Sequence, residues 1–163
     1  STIVKIDGEA LTLLRPGAIT CDALGCVCEK VEIASAVTEL LGENERPLSP
    51  GMKYRHYAPT APLVLLSGKD EDVLAYCKNE AEMHKCAFLC YNEECDSLSG
   101  NTLFPIGNKN DLATQAHKLF AALRQADGTD AEIIYAHLPP QTGIGLALYN
   151  RLIRAAAHTV KEV

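Results

Sequence analysis

The chain has 163 residues, enough for one well-buried domain or for one domain with part of a second, and its 47% hydrophobic and 22% charged content is that of an ordinary globular protein. A net charge of −6 excludes a protein whose whole surface coats nucleic acid or an anionic membrane, because that role needs a broad positive field. No apolar run approaches the roughly 20 residues of a membrane span, and seven cysteines, an odd number set largely in apolar segments, suit reduced thiols in a cytoplasmic protein better than a disulfide scaffold.

The first segment, "STIVKIDG", alternates apolar Ile3, Val4 and Ile6 with polar neighbours and ends on Asp7-Gly8, which predicts a strand and a turn. "EALTLLRPGAIT" reads as a second strand stopped by Arg15-Pro16-Gly17, giving a hairpin that needs a further surface to lean on. "VEIASAVTELLG" places Val31, Ala34, Val37, Leu40 and Leu41 near helical spacing and predicts a helix ending at Gly42. Four prolines then fall within residues 43–62 without periodicity, as expected of a stiff connector between domains.

Beyond the connector the pattern is regular. Apolar runs predict strands at 62–67, 86–91, 102–107 and 132–139, the third at a sheet edge because of Pro105. Helical periodicity predicts helices over 70–84, 111–128 and 143–160. Uniformly apolar strands alternating with helices imply a small Rossmann-like α/β domain of three layers, its parallel sheet covered on both faces.

Few residues carry chemistry on their own. "CDALGCVC" lacks the paired spacing of a zinc site, so no metal site is expected. "TGIGLALYNRL" lacks a third glycine and a following acidic residue, so its glycines read as a tight turn and close packing, and Asn150 and Arg151 as caps or surface contacts. Arg15, held at a strand end by Pro16-Gly17, is either a surface arginine or a rigid fork for phosphate or carboxylate. "SPGMKYRHYAP" concentrates Lys53, Tyr54, Arg55, His56 and Tyr57 in an acidic chain. It reads as a solvated linker, as a contact to RNA, or as a lid over an anionic ligand.

"STIVKI", "LLRPGAIT", "SPGMKYRHYAP" and "GIGLALYNRLIRAA" together resemble the C-terminal part of two-domain threonylcarbamoyl-AMP synthases, which join a YrdC-like catalytic domain to a Rossmann-like accessory domain. The resemblance covers nearly the whole chain. It implies a remnant of the α+β YrdC-like domain at 1–42, a linker or lid at 43–61 and the accessory domain at 62–163. The implied reaction converts L-threonine, bicarbonate and ATP into L-threonylcarbamoyl-AMP and pyrophosphate, a nucleotidyl transfer that serves threonylcarbamoyladenosine modification of tRNA.

The same resemblance places Ser1 in the threonine pocket, Arg15 on the ATP phosphates and Tyr57 against the nucleotide, with Tyr54, Arg55 and His56 as further lid residues. The family's Lys/Arg pair and Ser-x-Asn motif lie upstream of the "ST" strand and are not in this chain. The expectation is therefore that these 163 residues are inactive alone, hold no catalytic residue, and meet Mg2+ only through the catalytic domain. The other reading is a module that binds tRNA or a partner in the modification machinery. The resemblance does not account for "CDALGCVCEKVEIAS".

Overall fold

The computed structural model describes residues 1–39 and 58–163, so Tyr54, Arg55, His56 and Tyr57, and with them most of the expected linker, lie outside the described residues. The described residues form two units, one of residues 1–39 with Pro139–Arg151, the other of residues 58–138 with Leu152–Val163.

In the first unit, β1 (Ile3–Asp7) and β2 (Ala10–Arg15) form the expected antiparallel hairpin, paired from Asp7↔Ala10 to Val4↔Leu13. Thr20 then caps the short helix α1 (Cys21–Gly25), its side chain accepting from the Ala23 amide. The helix expected over 31–41 is not realised. Instead β3 (Lys30–Ile33) pairs in parallel with β2, Leu11 beside Val31 and Leu13 beside Ile33, and a 3-10 turn follows at Ser35–Val37. The apolar residues fit both periods, and the ladder to β2, continued by the Ala34 amide donating to the Leu13 carbonyl, selects the strand.

Strand alternation and this register gather Val4, Ile6, Leu11, Leu13, Val31 and Ile33 on one face of the three-stranded sheet. Leu13 is buried there with Val37 and Leu146, whereas Ile6 is 70% and Ile33 46% exposed.

The second unit contains β4 (Leu63–Ser67), α2 (Asp70–Met83), β5 (Cys86–Tyr91), β6 (Thr102–Gly107), α3 (Leu112–Asp127) and β7 (Ile133–His137). Helix α4 (Gly143–Ala155) begins among residues of the first unit and ends among those of the second, where β8 (Val160–Glu162) follows. The sheet is five-stranded and wholly parallel, in the order β6-β5-β7-β4-β8. Cys86, Phe88 and Cys90 of β5 pack with Val73 and Cys77 of α2 on one face, and the alternate residues Ala87 and Leu89 are buried on the other. Cover on both faces is why these strands read as continuous apolar runs.

Pro105 sits on the edge strand β6, where its missing amide costs no ladder bond. Asp111 caps α3 by accepting from the Thr114 amide at 3.0 Å, and Gly128 closes it.

The final helix is shorter than the expected 143–160. It stops at Ala155, Ala157 and His158 take left-handed backbone (φ 49° and 60°), and the chain then pairs Val160 with Leu65 as a fifth strand. The helical pattern persists past Ala155, but the open edge of β4 offers Val160–Glu162 a ladder that local periodicity does not encode. The glycines in the first turn of α4 serve a turn and close packing, as expected. Gly143 has φ +53°, and a Cβ on Gly145 would lie 2.5 Å from the Pro140 carbonyl oxygen.

Candidate functional site

The R-P-G turn that ends β2 folds back onto the first two residues. Arg15 Nε donates to the Ser1 carbonyl at 3.1 Å. Thr2 Oγ1 donates to the Ile19 carbonyl at 2.9 Å and accepts from the Ile19 amide at 3.1 Å, so one hydroxyl does the work of a backbone pair. Between them Gly17 lies so close that a Cβ would stand 2.6 Å from both the Ser1 carbonyl carbon and the Thr2 amide. Only glycine permits this approach. The structure thus brings together Ser1 and Arg15, the two expected site residues that it describes. Among the described residues no carboxylate pairs with Arg15, which leaves its terminal guanidinium nitrogens able to donate to an anion.

The first unit adds two residues whose role sequence reading left open. Asn150 of α4 is buried, and its Nδ2 donates to the Val37 carbonyl at 2.6 Å. Arg151, the next residue, donates from Nη1 to the Ala147 carbonyl at 3.3 Å. Its pKa is lowered, first by burial and then by the charge of Arg15. The N-R dipeptide in the middle of a largely apolar helix, whose other charged residue is Arg154, was the available signal, but nothing local tied it to Arg15.

In the second unit the chain leaves β5 outward to β6 and leaves β7 in the opposite direction, past β4 to β8. The carboxyl ends of β5 and β7 are therefore the topological switch point, where open α/β sheets place ligands. Here the protein's own side chains meet. His137 Nε2 lies 2.7 Å from Glu94 Oε1, Glu94 Oε2 accepts from the Tyr91 amide at 2.8 Å, and the Tyr91 ring stacks on His137 with centroids 4.4 Å apart. The cavity beside them, lined by Leu66, Cys77, Cys90 and His137 among others, has a volume of about 10 Å³, room for about one water. Nothing local in the sequence signals this pair, because His137 and Glu94 lie 43 positions apart.

The cysteines divide by environment. Burial pushes the Cys77 thiol up to about 12, Cys86 up to about 11 and Cys90 up to about 12, which keeps them protonated and poor nucleophiles. In the segment "CDALGCVC", Cys26 Sγ donates to the Asp22 carbonyl at 3.4 Å, and Cys28 Sγ to the Glu9 carbonyl at 3.1 Å and the Lys30 carbonyl at 3.3 Å. Cys28 thus ties the start of β3 to the hairpin turn, while the Cys26 bond stays within the last turn of α1. Among the described residues no three His, Cys, Asp or Glu side chains gather as a metal-holding group. No helix among them is long and apolar enough to cross a membrane.

Residues 19–157 match the family model described as the C-terminal domain of threonylcarbamoyl-AMP synthase. The chain is 34% identical over 161 residues to the threonylcarbamoyl-AMP synthase of Bacillus subtilis, covering 98% of itself and 46% of that protein. It matches the crystal structure of Pyrococcus abyssi Sua5 complexed with L-threonine, with TM-score 0.81, 29% identity, and coverage of 100% of this chain and 47% of that one. It matches equally a variant of that Pyrococcus protein in which an adjacent histidine and tyrosine are both alanine, with TM-score 0.83, 28% identity, and coverage of 100% and 46%. The chain spans about half the length of the curated relatives it matches. It belongs to the threonylcarbamoyl-AMP synthase C-terminal domain family.

Proposed function

We propose that this chain is the accessory domain and active-site lid of an L-threonylcarbamoyladenylate synthase. That enzyme joins L-threonine, bicarbonate and ATP into L-threonylcarbamoyl-AMP and releases pyrophosphate, for threonylcarbamoyladenosine modification of tRNA. The observation that carries the reading is the 3.1 Å bond from Arg15 Nε to the Ser1 carbonyl, locked by the close approach of Gly17. It supports the reading because it ties Ser1, expected on the threonine side, to the turn that carries Arg15, expected on the phosphate side.

In this reading Ser1 contributes to the threonine pocket. Arg15 uses Nε to brace the turn and its outer nitrogens to hold phosphate oxygens, where negative charge grows as pyrophosphate departs. Tyr57 meets the nucleotide, with Tyr54, Arg55 and His56 beside it. The solved Pyrococcus variant that replaces an adjacent histidine and tyrosine supports attention to this pair, since His56-Tyr57 is the one His-Tyr dipeptide in the chain.

The exposed apolar residues Ile6 and Ile33 support a first unit that is completed by the remaining half of the enzyme. That half supplies the catalytic residues, so the 163 residues alone are inactive. Among the described residues no three His, Cys, Asp or Glu side chains gather to hold a cation, so they do not fit a magnesium ion.

The test is pyrophosphate release, dependent on ATP, threonine and bicarbonate, from a polypeptide joining this chain to a catalytic half. Arg15→Ala and Tyr57→Ala should each lower it. Unchanged synthesis with a fall only in tRNA or partner binding would instead establish the binding-module reading.

A further inference from the structure

We propose that Thr2 is a positioning residue for the site: its hydroxyl holds the R-P-G turn in the place from which Arg15 is presented beside Ser1. Its part in synthesis rests on the function proposed above; the positioning itself rests on geometry.

The hairpin ladder ends irregularly at this point. Val4 pairs with Leu13 and Ile3 with Arg15, so Leu14 is the extra residue of a bulge, a device that re-aims the side chains beside it. Pro16 follows with no amide to carry the ladder on, and Gly17 is buried against the backbone of Ser1 and Thr2. Side chains take over from here. Arg15 Nε donates to the Ser1 carbonyl at 3.1 Å. Thr2 Oγ1 makes with Ile19 the two bonds that a neighbouring strand residue would make, donating to the carbonyl at 2.9 Å and accepting from the amide at 3.1 Å. Ile19 is steadied from its other side as well, because Thr20 caps α1.

The two side chains are unequal as fasteners. Arginine has many rotamers and gives up much freedom when it is held, whereas threonine is short and stiff at χ1. Nε of Arg15 also belongs to the group that is to meet the ligand, while the Thr2 hydroxyl is wholly taken up by Ile19. Thr2 therefore fixes the turn, and Arg15 reaches out from a fixed base.

The test uses a polypeptide joining this chain to a catalytic half. Thr2→Val keeps the shape of the side chain and removes the hydroxyl, and Thr2→Ser keeps the hydroxyl. Thr2→Val should raise KM for both threonine and ATP about tenfold, since one hydroxyl holds both sides of the turn. A merely structural loss would lower the active fraction, and with it kcat, and leave KM alone. Thr2→Val should also speed solvent exchange of the Arg15 Nε–H, followed by NMR, although Thr2 does not bond Arg15. Thr2→Ser should restore both readouts, and Thr12→Val on the same hairpin should change neither. Should circular dichroism show that Thr2→Val does not fold, Thr2→Ala takes its place.

An unmoved Arg15 signal in Thr2→Val overturns the inference. So do unchanged KM values where Arg15→Ala does impair pyrophosphate release, and so does a Thr2→Ser variant that behaves as Thr2→Val. Failure of the enzymatic reading shows separately, as pyrophosphate release that Arg15→Ala leaves unchanged, and the Arg15 signal then decides the positioning.

Discussion

Asn150 Nδ2 donates to the Val37 carbonyl at 2.6 Å, joining two buried residues 113 positions apart in sequence. The bond satisfies a carbonyl at the end of the 3-10 turn Ser35–Val37 and anchors α4 beside β2. Asn150→Ala removes the donor and leaves that carbonyl buried without it. We expect a loss of about 2 kcal/mol in urea unfolding, the cost of a stranded buried polar group. Asn150→Asp should do no better, because it sets a carboxylate against a carbonyl. Unchanged stability in both variants would remove Asn150 as an anchor.

Gly17 makes a prediction that separates stability from activity. A methyl group there would stand 2.6 Å from the backbone of Ser1 and Thr2, which no flexible side chain can relieve. Gly17→Ala should push the first two residues from the R-P-G turn, break the Arg15–Ser1 bond and cost about 1–3 kcal/mol. Joined to a catalytic half, this variant should lose both threonine and ATP affinity. Gly25→Ala, whose Cβ meets nothing within 4 Å, is the matched control and should leave both intact.

The Glu94–His137 pair should act in stability. Both side chains are close to nine-tenths buried, and Glu94 also accepts the Tyr91 amide. Glu94→Ala strands that amide and the imidazole together, and about 3 kcal/mol should be lost in thermal or chemical unfolding. Tyr91→Phe keeps the ring stacked on His137 and should stay within about 0.5 kcal/mol of the wild type. Equal losses in the two variants would contradict this division of roles.

Alkaline pH should weaken the second unit. Burial raises Cys77 to about 12 and Cys86 to about 11 from the ordinary thiol value of 9.0. Above pH 9 the unfolded chain gives up these protons while the folded protein keeps them, so their contribution is complete below pH 9 and is lost as pH rises through 11 to 12. Urea midpoints measured with a reducing agent should therefore fall as the pH is raised from about 9 to about 11. Cys77→Ala and Cys86→Ala should each flatten the fall, at the expense of lower stability at neutral pH.

Much of the second unit was legible locally. Strands β4 to β7 declare themselves as apolar runs of strand length, and α3 carries its periodicity between the Asp111 cap and the Gly128 stop. Pro105 marks an edge, and Gly143 and Gly145 mark a turn and a close approach. In the first unit the turns at Gly8 and at Pro16-Gly17 delimit the hairpin and put Arg15 at a strand end. Each of these rests on φ restriction, capping or side-chain periodicity, which act over a few neighbouring residues.

Tertiary structure decided the rest. Val31 and Ile33 satisfy either a helix or a strand until β2 offers its ladder, and Val160–Glu162 continue a helical pattern until the edge of β4 captures them. Ser1 meets Arg15, Glu94 meets His137 and Asn150 meets Val37 only because strands and helices distant in sequence pack side by side. A backbone ladder or a buried side-chain hydrogen bond draws its free energy from a partner far along the chain. The residue types at each end show that a partner is needed, and only the fold determines which one it is.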